Sequence, residues 1–300
     1  MTFAFKSAIK QVVPAPILYG TLRLVSTLAS RRARATFERA DTGPVWLDEA
    51  WLEVYQQRYP VPPSYSYEST SLARRGEERA RSLLKLLPEH RGNRFLELGC
   101  WDGMVSWALQ ARGMAPTAID IRSDGFDERA RAAGVKLLEM SASDLRFPDG
   151  SFDVVFSYDG FEHFWAPEAT LPEMIRVTRP GGYIYLDFGP LYLSALGAHI
   201  YRQITVPYCH LLFPKDVLQR FATAKGLGVL EYDVNGWSIE AYRKLWAGCA
   251  GRLRRIHYHE IPDTAHLELV STHPSCFRSK TTNFDDLVIS YVKVLFQKIA

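Results

Sequence analysis

The stretch Phe95-Leu-Glu-Leu-Gly-Cys-Trp-Asp-Gly103 sets an acid, Glu97, two residues ahead of a turn framed by Gly99 and Gly103. Glycines at such a turn let backbone N–H groups approach a ligand closely beside a helix N-terminus. Further on, Asp120 stands at the end of the next apolar run, Thr117–Ile121. A carboxylate there can accept two hydrogen bonds from a ribose diol. A dinucleotide fingerprint would need more glycines, at the positions of Trp101 and Met104. Without them a pyrophosphate has no close approach, and Glu97 would repel it. The pattern suits a cationic nucleoside that carries no phosphate.

A second group lies in Ser157-Tyr-Asp-Gly-Phe-Glu-His163, where Asp159, Glu162 and His163 fall at i, i+3 and i+4. On a helical turn these three side chains share one face. Two carboxylates and an imidazole so placed can hold Mg2+ or another divalent ion and leave positions open for an acceptor oxygen. The competing readings are His163 as an unassisted general base and a capping or packing role. His199 and His210 sit in the apolar, aperiodic segment 191–213. Each is a candidate base, ion ligand or acceptor contact, set against the ordinary case of a satisfied packing histidine. In His257-Tyr-His259-Glu260 the alternation reads as a strand with both histidines on one face. That pair is a metal candidate or part of a polar loop or interface. No G-x-S-x-G, H-E-x-x-H or P-loop pattern is present.

These residues need elements to hold them. Arg94–Leu98 reads as a buried strand followed by a helix to about Arg112, with further strands at Thr117–Ile121, Val135–Met140, Phe152–Ser157 and Tyr183–Phe188. A helix over Pro167–Thr178 separates the last two. Such alternation demands right-handed crossovers and a parallel sheet covered on both faces. Beyond Gly189 the rhythm breaks. A helix over Lys215–Ala224, a strand over Gly228–Val234, an inserted helical and loop region 236–284 and a final strand over Asp286–Gln297 are expected. The organisation is a leader, 1–40, a cap or linker with one helix, 41–90, an α/β core, 91–235, holding an acceptor segment at 189–214, the insertion, and the last strand within 285–300.

The 300 residues are 47% hydrophobic and 23% charged, which excludes a disordered chain, a collagen-like repeat and a coiled-coil rod. A net charge of +3 gives no nucleic-acid signature, and no nucleic-acid partner is expected. Cys100, Cys209, Cys249 and Cys276 lie far apart without C-x-x-C spacing, so free thiols in a reducing cytoplasm are the reading. Residues 1–40 are basic and amphipathic, and Pro14 and Pro16 are expected to divide them into two short pieces. A helix packed on the domain or on a partner subunit, peripheral contact with the inner face of an anionic membrane, and a signal peptide are the alternatives. Nothing in the sequence sets an oligomeric state.

The segment from about Arg94 to Leu186 resembles the class I S-adenosylmethionine-dependent methyltransferases. Glu97-Leu-Gly-Cys-Trp-Asp-Gly103 looks like their first motif, Ala118-Ile-Asp-Ile121 like their ribose-binding motif, Ser143–Val155 like the segment joining strands three and four, and Val177-Thr-Arg-Pro-Gly-Gly182 like the turn before strand five. The resemblance implies a Rossmann-like, doubly wound α/β fold. Its seven-stranded sheet would end on an antiparallel strand, completed by Gly228–Val234 and Asp286–Gln297. S-adenosylmethionine, a ribose-bearing sulfonium, would then be held by Glu97, Gly99, Gly103, Asp120 and Ile121. Tyr158 would offer its backbone to the methionine end. Trp101 stands where the family usually has glycine, so its indole would cover the cofactor or narrow the pocket. Ser141 stands where the family often has an aspartate for the adenine amino group, and it and the backbone of Ala142 would serve instead. Asp159-Gly-Phe-Glu-His163 is similar to the E-x-x-E-H metal motif of ubiquinone-biosynthesis and small-RNA 2′-O-methyltransferases. The layout also resembles bacterial glycan-pathway methyltransferases. The expectation is therefore O-methylation of a sugar or glycan hydroxyl. The rivals are a small aromatic or lipid-like acceptor, a scaffold without catalysis, and, most distant, a NAD-dependent dehydrogenase.

Overall fold

The computed structural model describes the backbone of residues 15–63, 66–87 and 92–299, and side chains from residue 27 onward within those spans. The first of the two leader pieces lies outside the described residues.

Five strands alternate with helices as the apolar runs dictate: β1 (Arg94–Leu98), β2 (Ala115–Asp120), β3 (Lys136–Glu139), β4 (Phe152–Tyr158) and β5 (Thr178–Phe188). Two more, β6 (Leu253–Pro262) and β7 (Ile289–Lys298), complete a seven-stranded sheet of order β3-β2-β1-β4-β5-β7-β6. The first five are parallel, and β7 runs antiparallel to both of its neighbours. Every residue of β4 is buried, the mark of a central parallel strand covered on both faces. Strand order turns between β1 and β4, so the carboxyl ends of β1, β2 and β4 open onto a crevice.

The sixth strand is not where it was expected. Residues 228–234 have no strand structure, although Leu230 and Val234 are buried. The strand is Leu253–Pro262, inside the segment read as an insertion. It lies at the sheet edge and is largely exposed, so its Arg-Arg-Ile-His-Tyr-His run lacks a one-sided apolar alternation. The expected final strand begins instead with a helical turn, Asp285–Val288, before β7.

One face of the sheet packs helix Ser69–Leu86 and helix Met104–Gln110, through Ala80, Leu83, Val105 and Leu109, against Phe95, Phe156 and Tyr185. The other packs helix Pro167–Val177 and helix Ile239–Gly248, through Leu171, Met174, Tyr242 and Trp246, against Leu96, Val155, Ile184 and Val294. Pro167 starts its helix at a position where the missing N–H costs nothing.

A separate hydrophobic cluster forms a cap. It draws on Phe37, Leu52 and Tyr55 from the amino-terminal part, on Ile204, Tyr208 and Leu218 after β5, and on Val270, Phe277 and Leu287 near the end. The leader helix Ala15–Arg39 is one piece, because Pro16 falls in its first turn, where it is tolerated. Its last turns belong to the cap. Ala33 and Phe37 are fully buried, the Phe37 ring packs on Phe284, and Arg34 pairs with Asp285 at 3.0 Å. Among the described residues no helix is long and apolar enough to cross a membrane.

Candidate active site

Between the strand ends and the cap lies a cavity of about 840 Å³. Its floor includes residues 99–102 of the glycine turn; Gly103, expected as a donor contact, is not part of the wall and packs toward Leu137 and Ala130. Gly99 has φ +66° and Gly103 φ +73°, a left-handed region where an L side chain is strained. A Cβ on Gly99 would come within 3.1 Å of the Phe164 ring, and one on Gly103 within 2.8 Å of Leu137. Gly103 then starts helix Met104–Gln110.

Three acids surround this turn, each fixed by its neighbours. Asp120 at the end of β2 accepts the Trp101 N–H at 2.8 Å and the Arg122 N–H at 3.3 Å. It thus pins the loop while lining the cavity. Glu97 is 3% exposed and accepts from the Ser106 N–H (3.1 Å) and hydroxyl (2.6 Å). Burial pushes its carboxyl up to about 8, against the pull of the Ser106 hydrogen bonds. Asp102 accepts the Met104 N–H at 2.8 Å and pairs with Arg75 at 3.4 Å; burial raises it as well.

The protonation of Glu97 has a measurable consequence. Its folded value lies above the ordinary carboxyl value of 4.5. The stability it contributes is therefore full below about pH 4.5 and is lost progressively as pH rises toward about 8. Denaturation of Glu97→Gln followed from pH 5 to pH 9 should show a flatter stability profile than the parent. An identical slope would mean that Glu97 is ionised in the folded chain throughout.

The other expected cofactor contacts, Trp101, Ile121, Ser141, Ala142 and Tyr158, all line the same cavity. Trp101 does not seal it: the indole is 44% exposed at the rim, with the Arg122 guanidinium 5.5 Å from its ring centre. The Ser141 hydroxyl lies 2.9 Å from that of Ser143. The Tyr158 hydroxyl donates to the Arg79 carbonyl at 3.0 Å.

The carboxylates and imidazole after β4 occupy a turn, not a helix, and do not converge. Asp159, with φ +45°, forms an ion pair with Arg79. Glu162 is 2% exposed; its Oε1 accepts the Gly189 N–H at 3.0 Å, and burial, reinforced by nearby Asp159, raises its carboxyl well above the usual range. His163 bonds through Nδ1 to the Asp233 carbonyl, and its Nε2 stands 3.9 Å from Glu162. Among the described residues no group of three or more His, Cys, Asp or Glu is arranged to hold a metal ion. A cation-paired aspartate and a buried glutamate whose carboxyl is held well above its usual range are a poor donor set for a divalent ion. The expected ion site is not formed.

The histidines separate as well. His199 lines the cavity, bonds through Nε2 to the Pro190 carbonyl at 2.8 Å and meets the His163 ring edge-on at 4.9 Å. Burial, with a smaller push from His163, lowers it to about 4, so it is neutral at pH 7. His210 does not belong to the cavity wall. It is buried in the cap beside the Tyr192 carbonyl, and burial pushes it down to about 3. On geometry it contacts no acceptor. His257 and His259 do share one side of β6, with ring centres 4.4 Å apart, and stand away from this cavity.

Sequence reading missed Arg75 and Arg79. They lie four residues apart on helix Ser69–Leu86 and both line the cavity. Their i, i+4 spacing was the available signal, though many exposed helix faces show it. It also missed Glu231, Tyr232 and Asp233, which the non-strand segment 228–234 brings to the opposite wall.

Residues 96–186 match the family model for the methyltransferase domain. The architecture is the Rossmann-like methyltransferase fold, with the PH0226 protein of Pyrococcus horikoshii OT3 as a neighbour (TM-score 0.51, 19% identity, 82% of this chain and all of that one). Among curated proteins the chain is similar to the fatty-acid O-methyltransferase of Mycolicibacterium smegmatis, 38% identical over 108 residues, covering 34% of this chain and 39% of that protein. It is also similar to the demethylmenaquinone methyltransferase of Clavibacter sepedonicus, 31% identical over 168 residues, 53% of this chain and 65% of that one. Residues 96–186 are thus similar to a methyltransferase domain, and the chain spans less than two thirds of these relatives' length.

Proposed function

We propose that the protein is an S-adenosylmethionine-dependent methyltransferase that methylates an oxygen of an acceptor with an apolar body. The observation that carries the reading is one cavity holding both the Gly99–Gly103 turn with its Glu97 and Asp120 carboxylates and, across it, His163. The site fits the donor: acids without a phosphate cradle, beside a Gly99 backbone that lines the cavity. Asp120 would hold the ribose diol; Gly99, with a Glu97 that the incoming cation drives to ionise, would hold the methionine end; and Ile121, Ser141 and Ala142 would hold the adenine. When bound, S-adenosylmethionine supplies a methyl group already activated for transfer. What remains for the chain is to orient the acceptor and take its proton. His163 is built for that task, since the Asp233 carbonyl holds its Nδ1–H and leaves Nε2 with the lone pair.

The fatty-acid and demethylmenaquinone relatives support an apolar-bodied acceptor. Neither of these two relatives supports the sugar hydroxyl expected from the layout, and no step is assigned to a metal ion. The test is calorimetry with S-adenosylmethionine, followed by label transfer to three acceptors: a long-chain fatty acid, a naphthoquinol and a sugar alcohol. One donor per chain and label on either of the first two is expected. Label on the sugar alcohol alone would reverse the acceptor assignment, and no donor binding would remove the activity.

A further inference from the structure

The segment that meets the His163 ring has no regular structure of its own. Residues 228–237 form neither helix nor strand, yet Asn235 ties them to the turn after β4. Its backbone N–H donates to the Glu162 carbonyl at 2.8 Å. Its side-chain amide donates to the Phe161 carbonyl at 3.0 Å and the Phe164 carbonyl at 3.1 Å. One residue thus holds three carbonyls that flank His163 along the chain. Two positions before Asn235, the Asp233 carbonyl meets His163 Nδ1.

The partners leave the Asn235 amide a single orientation. Its NH2 carries two hydrogens, and the two carbonyls take them. Its oxygen accepts the Trp237 N–H at 3.0 Å and the Tyr242 hydroxyl at 3.1 Å. Gly236, with φ +77°, makes the turn that returns the Trp237 N–H to that oxygen. Tyr242 is fully buried on helix Ile239–Gly248 and packs in the core on that face of the sheet. A network satisfied at every member holds one arrangement of the groups it joins.

That arrangement selects a tautomer. A neutral imidazole carries one N–H, on either nitrogen. A carbonyl oxygen only accepts, so the Asp233 carbonyl requires the hydrogen on Nδ1 and leaves the lone pair on Nε2. The Asp233 carboxylate is not the tie: its Oδ2 stands 3.8 Å from Nδ1, on a side chain 65% exposed. A backbone carbonyl sits where its chain is fastened, and the fastening is Asn235.

We propose that Asn235 is a positioning residue: by holding the carbonyls of Phe161, Glu162 and Phe164 it sets the Asp233 carbonyl on His163 Nδ1 and keeps the imidazole in the form that takes a proton at Nε2. The proposal rests on the reading of His163 as the base, but its test needs no turnover.

Nitrogen-15 NMR of the imidazoles reads the tautomer directly, on the full chain with S-adenosylhomocysteine, at a pH where the rings are neutral. The parent should show His163 with its hydrogen on Nδ1. Asn235→Ala and Asn235→Ser leave room for water at the freed carbonyls, so both should fold and bind S-adenosylhomocysteine as the parent does. In both, the single His163 tautomer should give way to a mixture, while His199 keeps its hydrogen on Nε2 against the Pro190 carbonyl. Asp233→Ala should keep the parent tautomer, since the carbonyl remains. A parent His163 protonated on Nε2, an unchanged tautomer in both Asn235 variants, or a mixture in Asp233→Ala would overturn the proposal. Loss of S-adenosylhomocysteine binding in both Asn235 variants would overturn it too, by showing that Asn235 holds the domain and not the ring. Unaltered turnover in His163→Ala beside the expected spectra would remove only the base reading beneath it.

Discussion

Replacing Asp120 with alanine will weaken S-adenosylmethionine binding by about 10- to 100-fold, the loss expected when a charged acceptor gives up its hydrogen bonds to a diol. The structure adds a second reason for a large effect. The same carboxylate holds the Trp101 N–H at 2.8 Å and the Arg122 N–H at 3.3 Å. It sets the shape of the loop between Gly99 and Gly103 before any ligand arrives, so alanine removes both a ligand contact and the preorganisation of the turn. Asp120→Asn separates the two. The amide keeps one oxygen for Trp101 but loses the charge and half the acceptor capacity toward the diol. An intermediate loss, near tenfold, is expected for it. Calorimetric titration of both variants checks the pair. Equal affinity for parent and alanine variant would mean that the donor does not sit between the ends of β1 and β2.

The parts of the molecule that could be read from its residues are those built by local rules. Strands β1, β2, β4 and β5 are apolar runs bounded by turns, and a central parallel strand such as Phe152–Tyr158, buried along its whole length, has no other way to look. The glycine turn was legible because left-handed backbone at Gly99 and Gly103 leaves a compositional trace. What failed was set by distant partners. Leu253–Pro262 is a strand only because β7 offers it a ladder; at the edge, both its faces keep charged residues, and edge charges guard against pairing with other chains. Residues 228–234 carry the alternating apolar residues of a strand, yet they spend Leu230 on the cap core and turn Tyr232 toward the cavity. His210 looked like His199 in sequence. Only the fold of 191–213 sends one into the cap and the other to the cavity wall. The i, i+4 relation of Asp159 and His163 held no metal information once the segment proved to be a turn with Arg79 beside it.

The assignment of the proton acceptor turns on two rings that touch. His163→Ala should lower kcat by about 10²- to 10⁴-fold, the usual worth of a positioned general base, and leave S-adenosylmethionine affinity unchanged. His199→Phe should cost less than tenfold. The rings lie 4.9 Å apart, but their bonding differs. His199 donates from Nε2 to the Pro190 carbonyl, and burial lowers it to about 4. A group so weakly basic carries a proton poorly at neutral pH and serves instead as an uncharged wall. His163 anchors its Nδ1–H on the Asp233 carbonyl and is partly open to the cavity, with the buried Glu162 carboxyl, raised well above its usual range, 3.9 Å from its Nε2. When His163 takes the acceptor's proton, the imidazolium faces the Asp233 carbonyl oxygen and a neutral His199, so the nearest ring adds no repulsion. Single-turnover rates with preloaded donor separate this effect from binding. A larger loss in His199→Phe than in His163→Ala would exchange the two roles. Wild-type turnover in His163→Ala would leave the acceptor to lose its proton to water, as an already acidic hydroxyl or a carboxylic acid can.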